Sequence, residues 1–415
     1  MPVRRIILGL THRIGCLIWS FVFSSSIPTL ADEKVQMDVS ELESLKPVMQ
    51  GWIDSKMLPN AAVLVLQHGE NVFEHHVGML DLELGTPVQP NSLYRIYSMT
   101  KPIAAVAAMM LVEQGKLSLD EPIAKVLPEF SDLKVLENGV HTPAKPMTLR
   151  HLLSHSSGLT YGYYGDTEVD RLYRQAGLID DWDYLVPTTH DLVVGLGSLP
   201  LLFHPGERFH YSFASDVVSE IVARVSGMRF DHFLTQALWQ PLGIEDAYFD
   251  VPENELTRFG TNQYPARNDV FPIQDTPRVD PEFRDVTFLS GGGGLVMSIH
   301  DFGKFAQSIL DGLSGRGHAP LRKPTLLKML TNQLETGTNE FQYGLGFGIR
   351  RRPDPFDAAL TIDTYYWGGA AGTSFWIDPE YELAVVFFTQ LIGAPNEPVS
   401  VLSRTVYASL EQRQR

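Results

Sequence analysis

The segment "YRIYSMTKPIAAVAAMM", residues 94–110, places Ser98 and Lys101 three positions apart at the head of a run of small apolar residues. On a helix, positions i and i+3 share a face, about 5–6 Å apart at Cβ, so hydroxyl and amine fall within reach of each other. A serine hydroxyl is a weak nucleophile until a neighbour takes its proton. A lysine can do so only if burial or nearby positive charge brings its pKa down from about 10.4. Pro102, Ile103, Ala104, Ala105, Val106 and Ala107 are what a helix sunk into a protein carries, and they would desolvate Lys101. Ser98 would stand at the helix start, where free N–H groups and the positive dipole end favour a developing oxyanion. The spacing alone is weak, because Ser131 and Lys134 repeat it in the acidic, turn-like "PEFSDLKVL" with no buried helix behind them.

Outward from this segment the chain divides into two kinds of territory. "AAVLVLQHGENVFEHHVG" (61–78) reads as two strands around a Gly-Glu-Asn turn, and "GTSFWIDPEYELAVVFFTQL" (372–391) as two more around Asp-Pro-Glu. Between them "KPIAAVAAMMLVEQG", "TLRHLLSHSSG", "SDVVSEIVARVSG" and "FDHFLTQALWQPLG" have helical spacing and run into glycine. Residues 250–288, rich in Pro, Asn, Asp and Thr, read as a long excursion that can overhang a site. After "SGGGGLVMS", whose glycines suggest a flexible turn, "SIHDFGKFAQSILDG" returns to helix with Ser298 as its cap. The expected fold class is therefore α+β, an antiparallel sheet flanked by helices. Its sheet region comes from about 32–110 and 286–415, and a mostly helical region of about 111–285 is inserted between them.

The chain has 415 residues, 44% hydrophobic and 20% charged, with the balance of a globular protein. Residues 1–31 carry Arg4, Arg5 and Arg13, an apolar stretch from Ile14 to Phe23, and small or polar residues ending in Ala31. This is the pattern of a cleavable export signal, and it predicts a periplasmic or secreted protein. The apolar stretch is well short of the roughly 20 residues of a spanning helix, so no stable membrane span is expected after its removal. The only cysteine, Cys16, lies in this segment, and the remaining chain can form no disulfide. Loss of three arginines and no acid would take the formal charge from −16 to −19. So acidic a surface argues against nucleic acid as a partner.

In "YSMTK" (97–101), "HYSFASDVVSEIVARVSG" (210–227) and "YWGGAAGTSFWID" (366–378), the order and spacing resemble the penicillin-recognising serine hydrolases, in particular their class C β-lactamase-like branch. "TLRHLL" (148–153), "HSSGL" (155–159) and "SGGGGLVMSIHDFGKF" (290–305) extend the resemblance over nearly the whole chain after residue 31. It implies a β-lactamase/transpeptidase-like fold. It also implies Ser98 as nucleophile, Lys101 as the lysine one turn on, and Tyr211 as the tyrosine that shares or relays the proton. Trp367, Gly368 and Gly369 fall on the family's Lys-Thr-Gly strand. The following Ala370 would supply one N–H of an oxyanion hole and Ser98 the other.

Two departures narrow the chemistry. Phe213 stands where that branch has an asparagine, and Trp367 stands where it has a lysine. Both lost groups are polar clamps for a β-lactam or peptide, and an aromatic in their place suits an apolar acyl or alcohol group. Trp-Gly-Gly at this place is similar to the family VIII carboxylesterases. The expectation is thus a serine hydrolase that cleaves small-molecule carboxylic esters through an acyl-enzyme on Ser98, with Phe213, Trp367, Gly368 and Gly369 contacting substrate and no metal or organic cofactor. The alternatives are a β-lactamase or D-amino-acid peptidase of the same family, and a non-catalytic binding protein that keeps the fold. No Gly-x-Ser-x-Gly occurs, which argues against a nucleophile elbow. His151 and His155 lack the glutamate and third ligand of a zinc site and read as a capped or solvated helix pair.

Overall fold

Strands β1 (Asn60–Gln67) and β2 (Glu70–Asp81) form a hairpin whose two-residue turn, His68 and Gly69, is left-handed at both positions. Two positive φ angles in succession are what a two-residue hairpin turn matched to strand twist requires, so the turn falls just ahead of the Gly-Glu-Asn expected from sequence. The structure is a computed structural model that describes residues 36–180, 183–277, 283–334, 342–350 and 364–411. The expected export signal, with Cys16, lies outside the described residues. No helix among them is long and apolar enough to cross a membrane.

The main sheet has eight strands. With β3 (Thr86–Pro87), β4 (Gln342–Tyr343), β5 (Gly348–Arg350), β6 (Thr364–Gly368), β7 (Ser374–Asp378) and β8 (Leu383–Phe388), the order is β4-β5-β6-β7-β8-β1-β2-β3. Every adjacent pair is antiparallel, and β1 from the N-terminal part pairs with β8 from the C-terminal part. The two ends of the chain thus build one sheet, as the sequence leads one to expect.

The apolar runs of β1 and β8 are explained by burial on both faces. Ala61, Val63, Val65, Leu383, Val385 and Phe387 face a cluster that includes residues of helices α1 (Leu45–Asp54) and α5 (Glu397–Glu411). Their alternates, Ala62, Leu64, Ala384, Val386 and Phe388, face a larger cluster shared with α2 (Thr100–Glu113), α3 (Ala214–Ser226) and α4 (Ile299–Ser314). A strand covered on both sides loses the apolar/polar alternation that one wet face would impose.

The second cluster continues without a break into the helical region, where α3 ends on a left-handed Gly227 and α4 starts on Ser298, whose side chain accepts from the Asp301 N–H. The helix in "TLRHLLSHSSG" is shorter than its pattern suggests, Leu149–Leu153 only, because the chain turns at Ser154 and His155. The excursion of 250–288 is a folded-back segment. It carries the short strand pair Asn262–Gln263 and Ile273–Asp275, and it closes over the fully buried Arg95, whose guanidinium pairs with Asp275 and lies 4.1 Å from the Phe259 ring.

Candidate active site

The strand Leu93–Arg95 leads through Ile96 into a single 3₁₀ turn, Tyr97–Met99, that feeds directly into α2. Tyr97 has a φ of +43°, a costly backbone for a bulky residue. The surroundings hold it there: the Ile96 N–H donates to the Leu295 carbonyl at 3.0 Å, and the Asn262 amide donates to the Tyr97 hydroxyl at 2.7 Å. The bend sets Ser98 at the head of α2 with its side chain partly exposed, while Lys101 one turn later is buried.

The two side chains meet: Lys101 Nζ lies 3.1 Å from Ser98 Oγ and 2.6 Å from the Gly292 carbonyl oxygen. Burial lowers the Lys101 pKa to about 7, against the opposing pull of Asp216. The expected desolvation by α2 is therefore present, and a second cause of the lysine's placement appears with it. The amine also sits over the Tyr211 ring, 4.5 Å from its centroid. Burial raises the Tyr211 phenol above its usual range, and interactions with Ser98 and Trp367 partly offset that rise. A neutral amine and a protonated phenol beside one hydroxyl can respectively take a proton and give one.

The glycine run 291–294 is not a flexible turn. A Cβ on Gly291 would lie 2.4 Å from the Ser215 carbonyl, and one on Gly292 2.6 Å from the Asp216 carboxylate. This close packing presents the Gly292 carbonyl to Lys101 and the Gly292 N–H to Asp216 at 3.0 Å. Asp216 also accepts from the hydroxyls of Ser290 at 2.5 Å and Tyr184 at 3.4 Å. Its own pKa is raised by burial, with Lys101 and these donors working against the rise. A buried acid and a buried amine thus share one polar nest beneath the serine, and each costs less for the other's presence.

The opposite wall comes from the sheet. Trp367 is the next-to-last residue of β6, and its ring centroid lies 5.8 Å from that of Tyr211 and 4.9 Å from that of Tyr343. Beyond it the chain presses against the bend that carries Ser98. A Cβ on Gly369 would lie 2.3 Å from the Ile96 carbonyl oxygen, so only glycine fits. Ala370 follows at the turn, and its N–H has no acceptor among the described residues.

Phe213 differs from its expected role. It is fully buried as the first flanking residue of α3, with its ring against Tyr161, Tyr173 and Tyr184. It supports the aromatic wall from behind and offers no surface to a substrate. His151 forms a capping box with Thr148, whereas His155 is buried against Tyr211 at 4.7 Å between centroids, its basicity suppressed by burial and by Lys101. The pair is therefore capped at one end only: His151 is a half-buried helix residue, and His155 is buried beyond the helix end.

Several residues of this arrangement were not singled out from sequence. Asp216 sits inside the quoted "HYSFASDVVSE", and the usable signal was an acid in an otherwise apolar helical turn. Tyr161, Tyr163 and Tyr164, stacked beside Tyr211, stand in "TYGYYG", a run of aromatics in a loop. Gly292 and Asn262 carried no such signal, since one acts through its carbonyl and the other across 165 residues of chain.

Comparison with known proteins completes the picture. The family described as Beta-lactamase matches residues 45–400. The chain belongs to the Beta-lactamase family. Within it, Esterase EstB of Burkholderia gladioli is 30% identical over 374 residues, covering 85% of this chain and 91% of the relative. Lovastatin esterase of Penicillium rubens is 27% identical over 385 residues, covering 83% and 91%. Among solved structures, EstCE1, described as a hydrolase with promiscuous acyltransferase activity, superposes with a TM-score of 0.76 at 24% identity, covering 89% of this chain and 98% of that one. At that identity the likeness is one of fold, and it places this Beta-lactamase family member in the β-lactamase/transpeptidase-like architecture.

Proposed function

We propose that this Beta-lactamase family member is a serine esterase acting on small, apolar carboxylic esters outside the cytoplasm. The observation that carries the reading is the pairing of Ser98 with a buried Lys101 beside an aromatic wall. Lys101, the one cation of that nest, is buried and donates to the Gly292 carbonyl, so it is not placed to clamp a substrate carboxylate. Tyr211 and Trp367, both half-buried, instead offer apolar faces to an acyl or alcohol group. The two esterase relatives support the same class of reaction, and the N-terminal sequence supports export.

In the proposed mechanism Ser98 Oγ attacks the ester carbonyl carbon as neutral Lys101 takes its proton. The N–H groups of Ser98 and Ala370 hold the tetrahedral oxyanion. Tyr211, kept protonated by burial, gives its proton to the departing alkoxide and recovers one from Lys101. The alcohol leaves, and an acyl-enzyme remains on Ser98. Water then attacks that ester by the reverse route and frees the acid.

The test compares the chain from Asp32 with its Ser98→Ala variant on p-nitrophenyl butyrate and on nitrocefin, with the covalent adduct sought by intact mass. Ester turnover that disappears in the variant, with nitrocefin slow, is the expected result. Dominant nitrocefin turnover would favour the β-lactamase reading, and no adduct with either substrate would leave a binding protein.

A further inference from the structure

The loop from Thr160 to Thr167 is tied at both ends to one buried carboxylate. Asp170, 1% exposed, accepts from the Thr160 hydroxyl at 2.6 Å through one oxygen, and through the other from the Thr167 hydroxyl at 2.6 Å and N–H at 3.0 Å. Within the loop, the Arg174 guanidinium donates to the Gly162 and Gly165 carbonyls and pairs with Asp166 at 2.9 Å, and Gly162 turns the chain with a φ of +85°. A buried polar network satisfied in this way rigidifies the segment it holds. The side chains of the loop are therefore presented from a fixed backbone.

What the loop presents is a group of tyrosines graded from inside to outside. Tyr161 is buried, Tyr163 is half-buried and Tyr164 is 52% exposed. Exposed aromatics scattered singly need no function. Tyr164 is not of that kind, because its ring centroid lies 4.6 Å from that of Tyr163, 5.6 Å from that of Tyr161 and 5.9 Å from that of Tyr211. It is the solvent-facing member of a cluster that includes the residue proposed to protonate the leaving group. In that mechanism the departing alkoxide has to reach the Tyr211 hydroxyl, so the alcohol half of the ester is the part brought up to this cluster.

Resting on the esterase reading, we infer that Tyr164 is a specificity-determining residue of this site and selects esters whose alcohol half carries an aromatic ring. Two aromatic rings attract beyond the area they bury, through the negative face and positive edge of each, whereas a saturated ring of the same size offers only its area. A tyrosine fixed by its loop, with half its surface still open, can give that attraction to a substrate with little ordering of its own.

Two pairs of esters test it, each matched in size: benzyl against cyclohexylmethyl butyrate, which differ in the alcohol half, and ethyl phenylacetate against ethyl cyclohexylacetate, which differ in the acyl half. The readout is the ratio of kcat/KM within each pair for the native chain, Tyr164→Leu and Tyr164→Phe. The native chain should prefer the benzyl ester by about threefold to tenfold, Tyr164→Leu should bring that ratio close to one, and Tyr164→Phe, which keeps the ring, should retain it. The acyl pair should give the same ratio in all three proteins. A merely structural role for Tyr164 would lower every rate together and leave both ratios in place, which overturns the inference. So does a native benzyl ratio near one, a measurement that stands even if Tyr164→Leu fails to fold, and so does a change confined to the acyl pair. Those outcomes leave the esterase reading intact, whereas no turnover of any of these esters and no adduct on Ser98 would sink that reading and this inference with it.

Discussion

Lys101 is held more closely by the Gly292 carbonyl, at 2.6 Å, than by the Ser98 hydroxyl it is proposed to deprotonate, at 3.1 Å. A carbonyl can only accept, so this contact claims one N–H of the amine in either charge state. When the amine is neutral, its lone pair is left for the serine proton. Replacement by methionine keeps the length and apolar stem but removes the base, and ester kcat should fall by at least about 10³-fold with the fold intact. Lys101→Arg should be as inactive, because a guanidinium does not become neutral. Stopped-flow acylation with p-nitrophenyl butyrate, alongside circular dichroism, checks both.

The pH profile follows from the same amine. Burial lowers the Lys101 pKa to about 7, and only the neutral form can accept the proton. Activity should therefore be low when pH is below this value, rise through it, and level off above, where Tyr211 remains protonated because burial raises its pKa. The ascending limb of kcat/KM should lie near pH 7.

Asp216 favours the charged form of Lys101. Asp216→Asn removes that charge but keeps an amide oxygen that can accept from Ser290 and Gly292, so the limb should move to lower pH with those hydrogen bonds retained. A limb that stays in place would mean that the acid acts through packing alone.

Gly369 touches the residue two before the serine. Gly369→Ala forces a Cβ to 2.3 Å from the Ile96 carbonyl, so the strand end or the bend that carries Ser98 must move. The expected outcome is a loss of about 1–3 kcal/mol in thermal or urea unfolding together with a fall in kcat larger than any change in KM. Unfolding and steady-state measurements on the one variant separate the two effects.

Asn262 holds the strained Tyr97 from across the excursion. Asn262→Leu, or Tyr97→Phe, removes a hydrogen bond worth about 1 kcal/mol and should lower kcat several-fold with little change in KM. Because the Asn262 amide also donates to Gln274 Oε1 at 2.7 Å, Asn262→Leu should cost more than Tyr97→Phe, and the two combined no more than Asn262→Leu alone, which a double-mutant cycle measures.

Much of this protein was fixed by the order of its residues. The antiparallel sheet shared by both ends follows from two apolar hairpin patterns, and the desolvated Lys101 follows from the small apolar residues that come after it. Capping at Ser298 and the left-handed stop at Gly227 are equally local. These features rest on period, propensity and neighbours within a turn, which a linear sequence records. Tertiary structure alone decided that residues 291–294 form a tight cradle rather than a hinge, that Phe213 backs the wall instead of lining it, and that Asn262 and Gly369 brace the bend carrying Ser98. A glycine reads the same whether it frees a loop or admits a carbonyl. A phenylalanine reads the same on either side of a wall, because the partner that gives each its role lies far away in sequence and is brought near only by folding.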